Sequence, residues 1–163
     1  MSDGQALASV TIRAASAADY PALRTAAGLC GPAAQEGLPD VAAFAARAPD
    51  SPVLVALSDE AIVGYLLASP LAYDGDAPVS LWIEGLAVIP GWRRRGLAIA
   101  LCAALADGAR PIGVRALLTS PPVDPALAAL LARIGFVAHR DGVFLWRLEG
   151  SVAGSPWSVV RSP

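Results

Sequence analysis

The clearest chemical signal in the sequence is a basic turn between two apolar runs. Its residues are Arg93, Arg94, Arg95, Gly96, Leu97 and Ala98. If a helix begins at Leu97, the N–H groups of its first turn and the positive end of its dipole face the turn. Gly96 and Ala98 let a phosphate approach the backbone, and the guanidinium groups add charge-assisted hydrogen bonds. The turn therefore predicts a phosphate-binding loop; the alternative is a solvated basic turn that only caps a helix.

A single carboxylate stands in the apolar run before this turn. Glu84 is the only charged residue from 77 to 92. Strict alternation along a strand would place it on one face with Trp82, Leu86 and Val88. A carboxylate among apolar neighbours beside a binding cleft is a candidate general base. A solvent-facing glutamate and an anchor for substrate charge are the alternatives.

Hydrophobic periodicity and turn signals predict the elements that position these residues. The predicted strands are 10–13, 53–57, 61–69, 80–89, 114–120, 137–140 and 143–148, and the predicted helices are 17–29, 39–48, 97–109 and 124–134. Asp141-Gly142 and the segment 58–60 are hairpin signals. The order is β-α-α-β-β-β-α-β-α-β-β, which indicates an α/β protein with a mixed sheet (α+β). We expect one domain, residues 1–150, and a tail, residues 151–163, that is loose or docks through Trp157.

The segment Val88–Ala98 resembles the acyl-CoA pyrophosphate loop of the GNAT N-acetyltransferase superfamily. That loop reads Arg/Gln-x-x-Gly-x-Gly/Ala, and its first, fourth and sixth positions are filled here by Arg93, Gly96 and Ala98. The predicted element order also matches the GNAT fold. The pair Gly135-Phe136 after the last helix is a second family signature.

The resemblance implies an enzyme that transfers an acetyl group from acetyl-CoA to a primary amine of a small molecule or peptide. In this fold the central strand bends away from its neighbour, and pantetheine bonds to the strand backbone in the gap. Gly85 is consistent with a bulge at that point. The implied catalytic base is Glu84, and the backbone N–H of Leu86 would polarise the thioester carbonyl. The implied cofactor-binding residues are Leu86, Ala87, Val88, Arg93, Arg94, Arg95, Gly96, Leu97 and Ala98.

The sequence departs from the family at the general acid. Leu131 stands where many members have a tyrosine, four residues before the Gly-Phe pair. Tyr65, Tyr73 or water could protonate the leaving thiolate, or no acid is needed. Asp124 stands where many members have asparagine, and an N-cap is the favoured interpretation. Because of Leu131, a non-catalytic acyl-CoA-binding regulatory module stays open as an alternative function.

The acceptor is poorly specified by the sequence. By resemblance, the acceptor site includes the segments 29–39 and 69–78. Glu36 lies in the first segment, and Asp74 and Asp76 lie in the second. Acidic residues at the mouth of the site favour a cationic amine, such as a polyamine, an aminoglycoside, an amino acid, a protein N-terminus or a lysine.

Composition excludes other classes. The 163 residues carry a net charge of −2, and the basic turn is the only basic cluster, so nucleic-acid binding is not expected. The apolar run 61–73 is too short to span a bilayer, which takes about 20 residues. Residues 1–9 have no signal-peptide pattern, so we expect a cytoplasmic protein. Cys30 and Cys102 lack metal-ligand spacing, so no metal is expected. The resemblance makes a homodimer an option. The absence of repeated βαβ units argues against a Rossmann domain.

Overall fold

The computed structural model describes residues 9–122, 124–139 and 142–148. The strands are β1 Val10–Ala14, β2 Val53–Ser58, β3 Ala61–Asp74, β4 Ala77–Val88, β5 Ala116–Thr119, β6 Val137–Ala138 and β7 Phe144–Arg147. The helices are α1 Tyr20–Cys30, α2 Pro32–Glu36, α3 Val41–Ala45, α4 Leu97–Ala109 and α5 Pro125–Ile134. Short 3-10 turns lie at Ala17–Asp19, Pro90–Trp92 and Arg110–Ile112.

The strands form one mixed sheet in the order β1-β2-β3-β4-β5-β7-β6. Only the pair β4–β5 is parallel among the strands described. Helix α4 makes the crossover between these two strands, as a parallel connection requires. The mixed α/β class predicted from the sequence is confirmed.

Helices cover both faces of the sheet. On one face α4 and α5 pack over a core that includes Leu101 and Phe136. On the other face α1 and α3 pack over a core that includes Leu23, Phe44 and Tyr65. All five side chains are at least 93% buried, with exposures of 0 to 7%. This burial on both faces holds the central strands, and therefore the site they carry, in place.

Strands β4 and β5 separate after three residue pairs. Their pairing runs from Ser80–Ala116 to Trp82–Leu118, although β4 continues to Val88. Strand β5 ends at Thr119 and is followed by Ser120, Pro121 and Pro122, and the prolines have no N–H to donate to a ladder. A wedge-shaped gap therefore opens between the two strands.

A bulge lies in β4 where the gap begins. Leu67 of β3 is opposite Gly85, and the next residue, Ala68, is opposite Ile83, so Glu84 is an extra residue. The sequence-based expectation that Glu84 shares a face with Leu86 and Val88 is wrong, because the extra residue reverses the alternation beyond it. Its relation to Trp82, which precedes the bulge, is unchanged. Ile83 before the bulge packs in the same core as Leu86 and Val88 after it.

The hairpin between β3 and β4 is longer than predicted. Residues 69–78, expected to form a loop, mostly continue the two strands, which meet only at Gly75-Asp76. Gly75 has a φ of 62°, the left-handed conformation that a tight hairpin turn needs. The hairpin predicted at residues 58–60 is present, with Asp59 and Glu60 at φ of 47° and 67°.

The segment between α1 and β2 also differs from prediction. Residues 32–36, expected in a loop, form the short helix α2. The helix predicted at 39–48 is reduced to α3, whose N-cap Asp40 accepts a hydrogen bond from the Ala43 N–H at 2.8 Å. Residues 149–163, which include the predicted tail and Trp157, lie outside the described residues.

Candidate active site

The basic turn follows β4 directly. After the 3-10 turn Pro90–Trp92, the chain reverses through Arg94 and Gly96, with φ of 62° and 79°, and α4 begins at Leu97. Gly96 is the N-cap residue of α4. A left-handed N-cap favours glycine, and the missing side chain also leaves the end of the helix open to a ligand.

The end of α4 presents backbone donors. The Ala100 N–H donates to the Gly96 carbonyl at 3.0 Å, so the N–H groups of Leu97, Ala98 and Ile99 precede the first intrahelical bond. The Leu97 side chain is 1% exposed and anchors this helix end in the core. The arrangement can bind an anion such as a phosphate.

The three arginines have different environments. The Nε of Arg93 donates to the Val88 carbonyl at 3.0 Å, which ties the turn to the end of β4. The guanidinium carbon of Arg95 lies 4.9 Å from the centre of the Trp92 ring, within cation–π range. Arg94 is exposed. The Trp92 ring therefore packs against the guanidinium group of Arg95.

The gap between β4 and β5 contains a cavity of about 160 Å³. Its walls include Glu84 and Leu86 of β4, Thr119 at the end of β5, and Leu127 and Leu131 of α5. The cavity and the basic turn lie along the same strand, because β4 leads from Glu84 to Val88 and then into the turn.

One edge of β4 faces this gap without a strand partner. The Ile89 N–H donates to the Val63 carbonyl on the β3 side. Since backbone groups alternate between the two edges of a strand, Ala87 also faces β3, and Leu86 and Val88 face the gap. The Val88 carbonyl accepts from Arg93, as this direction requires. Of the three predicted strand residues, the structure thus turns two toward the gap and turns Ala87 toward β3.

Glu84 is partly exposed and forms an ion pair with Arg47. Its Oε2 lies 2.7 Å from Nη2 of Arg47, and the two side chains are 35% and 16% exposed for Glu84 and Arg47, respectively. The expectation of an isolated carboxylate in apolar surroundings is therefore wrong. Sequence reasoning missed Arg47 because it lies 37 residues away and nothing in its local pattern points to β4.

Arg47 is held by backbone carbonyls as well. Its Nη2 donates to the Ala68 carbonyl at 2.7 Å, and its Nε donates to the Ser51 carbonyl at 3.2 Å. The Ala68 N–H donates to the Pro52 carbonyl at 2.9 Å, but Pro52 has no N–H to return the second bond of this antiparallel pair. Arg47 supplies the missing donor.

No phenol lines the described part of the gap. Leu131, at the predicted position of the acid, is 3% exposed and forms part of its wall. The Tyr65 hydroxyl donates to the Ala34 carbonyl at 3.3 Å, and burial raises the pKa of Tyr65 to about 12. The Tyr73 hydroxyl donates to Asp50 at 2.9 Å on the outer hairpin. The hydroxyl groups of Thr119 and Ser120 are the polar side chains nearest the gap on the β5 side.

Other singled-out residues have structural partners. Asp124 caps α5, because its Oδ1 accepts from the Ala126 N–H at 2.9 Å, so the N-cap interpretation is confirmed. Asp74 lies 3.8 Å from Arg115, and both side chains are more than three-quarters exposed, at 79% and 76%. Burial raises the pKa of the Cys30 thiol, and the nearby Arg93 guanidinium partly offsets that effect. The basic turn therefore lies beside the end of α1.

No cluster of three or more His, Cys, Asp or Glu residues could hold a metal ion in the described part of the chain. Across the same ranges, no helix has the length and apolar character needed to cross a membrane.

The model of the acetyltransferase (GNAT) family matches residues 18–136. No curated protein matches the sequence.

Several solved structures share the fold. The ribosomal-protein-S18-alanine N-acetyltransferase of Escherichia coli is 19% identical, with a TM-score of 0.68 over 89% of this chain and 96% of that one. A GNAT family N-acetyltransferase of E. coli in complex with CoA is 24% identical, with a TM-score of 0.67 over 88% and 86%. An acetyltransferase of Thermus thermophilus is 19% identical, with a TM-score of 0.67 over 86% and 97%. The family match spans more than half of the sequence and the fold agrees with it, so this chain belongs to the GNAT acetyltransferase family.

Proposed function

We propose that this protein is an N-acetyltransferase that moves an acetyl group from acetyl-CoA to a primary amine. The observation that carries the proposal is the continuous path along β4, from the cavity beside Glu84 to the open helix end at Gly96. A long ligand with a phosphate-rich end and a reactive thioester end needs both features on one line.

The residues present fit acetyl-CoA. The edge of β4 without a strand partner offers the N–H and carbonyl of Leu86 and the N–H of Val88, which can bond to pantetheine as a neighbouring strand would. The Val88 carbonyl already accepts from Arg93. The N–H groups of Leu97 to Ile99 and the turn arginines complement a pyrophosphate. Gly96, the N-cap residue of α4, has no side chain that could block this helix end.

Acetyl-CoA supplies an activated acyl group: a C–N bond forms as the C–S bond breaks, and the acceptor ammonium loses two protons, one of which ends on the thiolate. In our proposal Glu84 accepts the proton that leaves before the attack. The Leu86 N–H polarises the thioester carbonyl. Water, or the hydroxyl of Thr119 or Ser120, provides the other proton path, since Leu131 has no proton to give.

The cofactor assignment is tested by calorimetric titration with CoA. Gly96→Glu adds bulk and negative charge at the helix end and should reduce CoA affinity at least tenfold. Gly113→Glu is a matched control, because Gly113 is also left-handed, with φ of 93° against 79° at Gly96, and lies beyond the other end of α4. Equal CoA affinity in the two variants would refute the phosphate assignment.

A non-catalytic acyl-CoA-binding module is the second candidate. Leu131 in the wall of the gap favours it, because this position lacks the tyrosine of many relatives. Incubation with acetyl-CoA and a panel of primary amines, followed by mass spectrometry, separates the two functions. CoA binding without any acetylated product would favour the module.

A further inference from the structure

A second cavity lies beside Arg47, the ion-pair partner of Glu84. It has a volume of about 250 Å³ and lies between the end of β1, helix α3 and the start of β2. Its walls are mostly apolar and include Ala14, Ala15, Phe44 and Val53. Arg47 is also in its wall, so the Arg47–Glu84 ion pair connects this cavity with the one between β4 and β5.

We propose that this second cavity binds the acceptor, and that the acceptor is an α-amino acid with an apolar side chain. Arg47 takes its carboxylate, Glu84 takes its ammonium group, and the cavity takes its side chain. The proposal rests on the acetyltransferase function above and specifies its substrate class.

Charge supports a carboxylate. Arg47 is the only charged residue in the described wall of the cavity. Beside the wall, Arg13 and Asp19 form an ion pair at 2.7 Å, and Asp19 also accepts a hydrogen bond from the Ser16 N–H, so the Asp19 carboxylate already has partners. The Asp40 side chain, on the same segment as Phe44, caps α3. The cavity therefore offers an incoming ligand one positive group and no competing negative one in its wall.

Arg47 has N–H donors on Nη1 that no described group accepts. Its Nε and Nη2 bind the carbonyls of Ser51 and Ala68 and the carboxylate of Glu84. Its Nη1 donates to no group among the described residues, although the side chain is only 16% exposed. No buried side-chain nitrogen among the described residues lacks a partner, so the two N–H bonds of Nη1 face solvent, where the oxygen of a ligand carboxylate can reach them.

The spacing of the pair favours a zwitterion. Oppositely charged atoms of Arg47 and Glu84 are 2.7 Å apart. A ligand that contacts both residues must therefore carry opposite charges only a few bonds apart. The ammonium and carboxylate of an α-amino acid share one carbon. A polyamine would bring a second cation against Arg47, and a dicarboxylate would meet Glu84. This argument selects the amino acid among the cationic acceptors that the acidic residues at the mouth favour, and it disfavours the polyamine.

The test compares matched acceptors on the full-length protein with saturating acetyl-CoA. Alanine, valine, leucine, methionine and phenylalanine are each tested beside their carboxamides and their decarboxylated amines, with thiol release and product mass as readouts. We expect kcat/KM for the carboxylates to exceed that for both analogues by about 10- to 100-fold, the effect of one charge-assisted contact. Equal or higher rates for the amides or amines would overturn the proposal.

Arg47→Met should remove this preference by raising KM for the carboxylates, while the ratio of amide to amine rates stays unchanged. Arg47→Lys keeps the charge and should retain part of the preference. Arg110→Met is the control, because it also breaks an Arg–Asp pair, at 3.0 Å, but at the far end of α4. A purely structural Arg47 would lower all rates alike and leave the preference intact, which would refute the proposal.

A binding experiment separates this proposal from the proposed function. Calorimetric titration of the CoA-saturated protein with leucine and with leucinamide needs no turnover. Binding of leucine alone, lost in Arg47→Met, supports the amino-acid site even if no product forms, in which case the acetyltransferase function fails by itself. Acetylation of other amines with no binding or turnover of amino acids would overturn the amino-acid site and keep the acetyltransferase.

Discussion

Arg47 donates to the Ala68 carbonyl, which is opposite Pro52 just before β2, and this hydrogen bond yields a quantitative prediction for stability. In Arg47→Met the Ala68 carbonyl loses its donor, and Pro52 cannot replace it, because proline has no N–H. A buried acceptor without a partner costs about 1–3 kcal/mol. The lost ion pair with Glu84 adds at most about 1 kcal/mol, since Glu84 is partly exposed. The free energy of unfolding should therefore fall by about 1–4 kcal/mol.

Pro52→Ala provides the matched test. An alanine at this position has the N–H that β2 needs to return the bond to Ala68. By itself this change should cost about 0.4–1 kcal/mol through the greater freedom of the unfolded chain. In the Arg47→Met background it should recover about 1 kcal/mol, because the carbonyl regains a donor.

Urea unfolding of the wild type, the two single variants and the double variant measures this coupling. Arg110→Met, which breaks a partly exposed pair, should cost no more than about 0.5 kcal/mol. Additive costs for Arg47→Met and Pro52→Ala, within about 0.5 kcal/mol, would show that Arg47 does not substitute for the proline N–H.

Three further predictions follow from single residues. Glu84→Gln should lower kcat about 100-fold or more and flatten the acid limb of the pH–rate profile while CoA affinity stays constant; an unchanged profile would remove Glu84 from the mechanism. The Arg13 guanidinium holds the pKa of Asp19 well below its usual range. The stabilisation that ionised Asp19 contributes to the folded state is therefore complete above the pKa of an unfolded aspartate, about 3.9, and is lost as the pH falls below that value. Asp19→Asn should therefore lower stability at pH 7 by about 1–2 kcal/mol and flatten the decline in acid, and equal slopes in the two proteins would contradict this. Gly135→Ala should lower the stability measured by thermal unfolding by at least about 2 kcal/mol, because φ is 125° and the new Cβ would lie 2.8 Å from Nε1 of Trp146. The control is Gly142→Ala, which should cost less, because its φ is 69° and no atom lies within 4 Å of the new Cβ.

Several parts of this protein were predictable from the sequence, because they depend on interactions between residues that are close together in the chain. The turn from Arg93 to Ala98 was identified because its glycine, its arginines and the helix that follows act over adjacent residues. The strand order through β4 follows from hairpin signals such as 58–60, and Asp124 was recognised as a cap because an N-cap bonds within its own first turn. These features depend on contacts within a few residues.

Contacts between distant segments were decided by the tertiary structure alone. The bulge at Glu84 depends on how β3 pairs with β4, and it reversed the face expected for the residues around it. The ion pair of Arg47 with Glu84 joins residues 37 positions apart in the sequence, and the same guanidinium group binds the Ala68 carbonyl on β3. The gap beyond Trp82 depends on where β5 ends. Sequence patterns therefore predicted the basic turn at the start of α4 and the fold, whereas strand pairing decided the surroundings of the proposed base, because a pairing partner cannot be identified from local spacing.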